Sequence, residues 1–195
     1  MVLEMNRLLI SGMATVMISA LSYAQDMPTA SYTAIGSAGD WDLSFTLKNN
    51  LSPGEGDLYF FGVLLDSGRN ITSTPSGWDP ERFRQWNNES YGGSSTIYNN
   101  VWLNLYSRPD DILPTQSKTG FHVHSSDLFA PDSVQFFTFA AAGTYTGHSN
   151  YSNNWNPGFE GTAKLTGTSV PEPGAFLGLG IGLVALVRRR QKISL

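Results

Sequence analysis

Apolar and polar residues alternate strictly over Trp41-Asp42-Leu43-Ser44-Phe45-Thr46-Leu47. A period of two puts Trp41, Leu43, Phe45 and Leu47 on one face and the polar residues on the other, which predicts a half-buried strand. Asp57 to Leu65, "DLYFFGVLL", is almost continuously apolar and predicts a strand buried on both faces. Lys48 to Gly56 between them is turn material, rich in Asn, Ser, Pro and Gly, so the two runs are expected to form a hairpin or neighbouring strands. Further strands are predicted at Ser31–Ile35, Ser94–Ser107 (broken), Thr119–Ser125, Ser133–Ala142 and Thr162–Gly167. Their spacing suits a mainly β fold, an antiparallel β-sandwich or jelly roll. Residues 71–93 are irregular, with Pro75, Gly77, Pro80 and Gly92-Gly93. A short helix is expected near Pro80–Trp86, with Pro80 in its first turn. No solenoid repeat is visible.

The two ends depart from this pattern. Met5-Asn6-Arg7 is a short positive start, Leu8 to Leu21 carries no charge, and Ser22 and Ala24 are small residues at the positions a signal peptidase reads. Residues 1–24 are therefore expected to be a signal peptide with an apolar helix, cleaved after Ala24. Glu4 fits a positive start poorly, so Met1 to Glu4 read as an upstream mis-start.

At the other end, Gly174 to Val187 is a fourteen-residue apolar run followed by Arg188-Arg189-Arg190. As a helix it covers about 21 Å, against a bilayer core of about 30 Å. Four glycines weaken it further. It makes a poor permanent anchor and an adequate transient one, with the arginines holding its end on the cytoplasmic side. Pro171 and Pro173 keep Val170 to Glu172 extended just outside the membrane, the backbone form a protease cleft binds.

Val170-Pro171-Glu172-Pro173, the apolar stretch and the arginine cluster occur in that order, and together they resemble the PEP-CTERM sorting signal. The same tail is sometimes labelled an ice-binding protein C-terminal domain, which describes the tail and not an activity. The resemblance covers about residues 169–192. It implies an exported protein of a Gram-negative-type bacterium and a membrane protease-transpeptidase, exosortase, that acts on residues 170–173. It divides the chain into a signal peptide (1–24), an ectodomain (25–169) and a sorting signal (170–192: motif 170–173, transmembrane helix 174–187, basic tail 188–192). Stretches such as "YFFGVLL", "GGSSTIYNNVW", "GFHVH" and "NPGFEG" loosely resemble β-sandwich ectodomains of other proteins with this tail.

Charge narrows the possible partners. The whole chain carries −4. Between Gln25 and Val170 seven basic residues face fourteen acidic ones, net −7. An acidic middle is no nucleic-acid binder. The absence of cysteine excludes disulfides, thiolate metal sites and a cysteine nucleophile.

Candidate chemistry in the middle is sparse. His122 and His124, two apart on a predicted strand, share a face, and Asp127, His148 or Asp110-Asp111 would have to complete a metal site. Two solvent-facing polar residues are the simpler expectation, and no metal or cofactor is expected. Asp110-Asp111 lacks the oxygen-rich loop that Ca²⁺ needs and reads as a solvated turn. No Gly-x-Ser-x-Gly elbow or phosphate-binding glycine motif occurs. Glu81, Glu89 and Glu160 are the carboxylates a secreted glycosidase would have to pair. The aromatic segment 78–106 and the loop "YSNNWNPGF" at 151–159 offer sugar-stacking rings, with Trp78, Trp86, Tyr91 and Trp155 as candidate glycan contacts. Core packing is the competing expectation for them. Sequons occur at Asn50, Asn70, Asn88 and Asn150, and regular threonine arrays of the ice-binding kind are absent.

The sequence therefore predicts a non-enzymatic exported protein, a substrate of signal peptidase and exosortase, held transiently in the inner membrane. Its β ectodomain is expected at the cell surface or in the matrix, as a structural or adhesive part of biofilm or exopolysaccharide. The alternatives are a carbohydrate-binding module and a secreted hydrolase.

Overall fold

A computed structural model describes residues 27–89, 95–104, 108–147 and 156–169. Ten strands follow one another: β1 (Thr29–Ser37), β2 (Asp40–Lys48), β3 (Asp57–Leu64), β4 (Ile71–Ser73), β5 (Trp86–Asn87), β6 (Ile97–Tyr98), β7 (Asn100–Leu103), β8 (Ser117–Ser125), β9 (Ser133–Ala141) and β10 (Gly158–Ser169). Among the described residues helix is almost absent, and Arg108–Asp110 forms a 3-10 turn.

Eight strands join in one sheet, in the order β4-β8-β2-β1-β10-β9-β3-β7. The alternation over Trp41–Leu47 does what its period requires, since all four apolar residues of that run are buried. The opposing inner faces meet. Phe61 of β3 contacts Phe45 of β2 and Trp102 of β7, with ring centroids 6.1 and 5.6 Å apart. The sheet thus curls around an aromatic-rich interior that includes Tyr32, Phe136, Phe159 and Trp78. Burying each such side chain contributes about 1.5–3 kcal/mol.

The barrel is nearly closed. Its edge strands, β4 and β7, are linked through the residues around them. Asn70 N donates to Asn100 Oδ1 (2.9 Å), Asn100 Nδ2 donates to Gly68 O (3.0 Å), and Asp79 and Leu103 exchange backbone bonds. Side chains and the Asp79–Leu103 bridge span the seam where a full ladder would otherwise stand.

Several expectations need correction. The mainly β expectation holds, but the strands join in one curled eight-stranded sheet that gives no separate confirmation of a sandwich or jelly roll, and that sheet is not wholly antiparallel, because β1 pairs with β10 in parallel. The Trp41 and Asp57 runs are not neighbours. β2 lies between β1 and β8, and β3 between β9 and β7. The hairpin partner of β2 is β1, through the two-residue turn Ala38-Gly39, with Gly39 at φ 80°. No helix forms at Pro80–Trp86. Residues 81–85 are all exposed, so no face was available for a helix to bury. The expected terminal helices lie outside the described residues, and among the described residues no helix is long and apolar enough to cross a membrane.

The double burial of β3 has a specific cause. Its inner residues Leu58, Phe61 and Val63 join the barrel interior, while Phe60 faces outward into a second cluster with Tyr98, Val101, Leu103, Phe137 and Phe139. The two-stranded β5-β6 sheet covers that outer cluster, with Trp86 stacked on Phe137 at 4.2 Å.

Candidate functional site

The outer layer frames a cleft. Gln135 of β9 and Thr162 of β10 are register partners on the outer surface, and Glu160 lies two residues before Thr162. Tyr98 of β6 and Thr96 lean over them, and these residues with Gly161 line a cavity of about 230 Å³. Glu160 accepts hydrogen bonds from Tyr98 OH (3.0 Å) and from Asn88 Nδ2. Asn88 is fully buried, and its Oδ1 accepts from Thr96 N at 2.8 Å. The carboxylate of Glu160 therefore pins the outer layer to the barrel wall. The cleft offers hydroxyl, amide and carboxylate groups beside an aromatic cluster, the chemistry that suits a polyhydroxylated ligand.

The expected glycan contacts fare unequally. Trp78 is 6% exposed: its ring meets Phe121 edge-on at 5.0 Å and its Nε1 donates to Asp110 O at 3.0 Å. It is a wall of the core and offers no sugar platform. Trp86 is half-buried, with one face against Phe137. Trp102, in the same aromatic segment, is wholly interior. Tyr91 and Trp155 lie outside the described residues. Thr96, Gln135 and Thr162 were not singled out by sequence, because the β9–β10 register sets Gln135 beside Thr162 and the β5–β6 layer carries Thr96 over them.

His122 and His124 do share the outer face of β8, and each meets a different aspartate of β2. His122 Nδ1 lies 3.2 Å from Asp42 and its Nε2 3.3 Å from Ser44 Oγ, while His124 Nδ1 lies 3.4 Å from Asp40. Among the described residues no three His, Cys, Asp or Glu side chains converge as metal ligands. Asp127 instead accepts from Ser125 Oγ (2.6 Å), Asp111 from Asn104 Nδ2 (2.8 Å), and Asp110 is paired with Lys118 (3.6 Å). His148 lies outside the described residues. The glutamates are dispersed, Glu81 being bound to Arg69 at 2.9 Å while Glu160 serves the outer cleft. The sequon asparagine Asn88 is sealed inside the fold, out of reach of glycosylation.

The other functional element starts where β10 ends. β10 runs beside β1 as far as the pair Ile35–Ser169, and from Ser169 the chain passes directly into the Pro-Glu-Pro region. Residues 169–191 match the family described as the PEP-CTERM protein-sorting motif. The chain carries a PEP-CTERM sorting motif. That motif marks an exported protein that bears a C-terminal membrane-anchor sorting signal and is targeted to exosortase. The PEP-CTERM match begins on the last residue of β10, so folded barrel and sorting signal adjoin without a linker. Val170, Pro171, Glu172 and Pro173, the arginines Arg188, Arg189 and Arg190, and the signal-peptidase residues Ser22 and Ala24 lie outside the described residues. No curated protein matches the chain.

Proposed function

We propose that this chain is an exported bacterial surface or matrix protein whose barrel is cargo and not an enzyme. In this reading signal peptidase removes residues 1–24. Residues 174–187 hold the product in the inner membrane with Arg188–Arg190 on the cytoplasmic side, and exosortase acts at 170–173. The barrel is then delivered to the cell surface or matrix as a structural or adhesive part of biofilm or exopolysaccharide. The observation that carries the reading is the PEP-CTERM match at residues 169–191. Intact-mass measurement of the protein from its native host tests it. Loss of residues 1–24 and of the sequence beyond the Pro-Glu-Pro region is expected, and a mature chain still ending at Leu195 would refute the processing.

A second reading is favoured by the outer cleft: the barrel binds extracellular polysaccharide through Gln135, Glu160 and Thr162 beside Trp86. Calorimetric titration of residues 25–169 with matrix polysaccharide tests it. Binding lost in Gln135→Ala and Thr162→Ala supports the cleft, and binding unchanged in both removes it.

A further inference from the structure

The parallel pairing of β1 and β10 decides which end of the barrel meets the membrane. β10 leaves the sheet at the end where β1 turns into β2. The loop between β3 and β4 and the loop between β8 and β9 gather at the same end, since Leu64 pairs with Gln135 and Trp41 with Ser125. The largest apolar exposure of the described residues is there: Phe129 is 81% and Leu128 71% exposed, both at the tip of the β8–β9 loop, with Ile35 (51%) on the adjoining wall. Adjacent, nearly bare Leu and Phe side chains mark an interaction site more often than a solvent-facing turn does.

The loop that presents them is fastened on both sides. Asp127 O accepts from Gly39 N (2.9 Å), Asp127 N donates to Ser125 Oγ (3.2 Å), Pro131 O accepts from Tyr32 OH, and Ala130 packs against the interior core. Ala130 is partly buried against the core while its two predecessors are exposed. The tether is short. Only residues 170–173 separate Ser169 from Gly174, so even fully extended the apolar run begins within about 18 Å of the barrel.

We propose that Leu128 and Phe129 insert into the outer-leaflet interface of the bilayer that holds residues 174–187, as a second contact beside the short segment. This rests on reading 174–187 as a membrane segment. A fourteen-residue run spans a bilayer poorly, and an apolar tip seated in the interface supplies the further membrane contact that a marginal anchor lacks. Asp127 and Asp132 flank the tip in its own loop, Asp40 follows the β1–β2 turn and Asp66 follows β3 at the same end, against Lys164 opposite Ser133 and Arg69, which is paired with Glu81. This acidic rim keeps the barrel wall out of the interface, limits insertion to the tip and selects a zwitterionic lipid surface over an anionic one.

The absence of cysteine makes the test direct. Leu128→Cys and, as a control at the opposite end of the barrel, Leu113→Cys each create one labelling site, both on exposed side chains. Each full-length variant carries an environment-sensitive fluorophore and is reconstituted in phosphatidylethanolamine–phosphatidylcholine vesicles containing a lipid-attached nitroxide. A blue shift and several-fold stronger quenching at 128 than at 113 are expected. Equal quenching at both positions, in chains that float with the vesicles, overturns the tip contact and leaves the membrane segment intact. A shift at 128 that follows protein concentration without lipid quenching means contact between copies and also overturns it. Failure of the full chain to float with vesicles overturns the membrane-segment reading and the tip contact with it.

Discussion

Phe61 and Phe121 stand with ring centroids 5.0 Å apart, although β2, β1, β10 and β9 separate their strands in the sheet. Contact at that separation requires the sheet to curl back on itself. Phe61→Ala and Phe121→Ala should each lower stability by about 3–5 kcal/mol. The double variant should lose less than the two together by about 0.5–1.5 kcal/mol, the worth of a direct ring pair. Urea titrations with unchanged m-values check this, and strict additivity would deny the pairing.

Two glycines separate backbone strain from crowding. Gly36 has φ 147°, and a Cβ there would lie 2.0 Å from Asp40 O, a backbone atom that cannot swing aside. Gly54 has φ 89° with nothing near the added atom. Gly54→Ala should cost about 1 kcal/mol. Gly36→Ala should cost more than about 3 kcal/mol, because it also collides with its own hairpin. Equal drops in melting temperature would contradict the hairpin geometry.

The phenol of Tyr32 is pushed up to about 12 by burial, and then by the nearby carboxylate of Asp132. Tyr145 is raised for the same kind of reason, burial first and Glu55 second. A raised pKa means the folded state holds the proton that the unfolded chain gives up near pH 10. The stabilisation is therefore complete below about pH 10 and is lost as pH rises toward about 12. Tyr32→Phe should flatten this alkaline loss of stability, measured by denaturant titrations at stepped pH. An unchanged slope would deny that Tyr32 carries it.

Asn88 should behave as the fastener of the outer layer. Asn88→Ala removes its side-chain bonds to Glu160 and to Thr96 N from a fully buried position, at about 1–3 kcal/mol. Hydrogen exchange should quicken at residues 95–98 and stay slow in β2. Uniform acceleration across both would show that the layer is not a separate unit.

Period-two alternation in β2 was readable because that strand has one face in the core and one facing outward. The outer burial of β3 was readable too, as a break in that alternation. Strand order was not. It depends on contacts between β10 and β1, more than a hundred residues apart, and alternation looks the same in a sandwich and in a curled single sheet. β4 and β5, three and two residues long, are too short to show a period. Trp78 and Trp86 are both aromatic residues in irregular sequence, and only packing sends one ring inside the barrel and the other to its outer layer. The sorting signal was legible because its ordered features are read from the chain itself and not from a fold.

The position of β10 also sets the order in which the protein can be completed. It is the last of the described strands in the chain, yet it occupies the middle of the sheet between β1 and β9. Until it arrives, β4-β8-β2-β1 and β9-β3-β7 are two fragments with no ladder joining them, each with an open inner edge. A chain that has not yet supplied β10 lacks the strand whose ladders join these two fragments. The sorting signal follows β10 directly, so a chain cut short before β10 lacks both the strand that joins the two fragments and the signal.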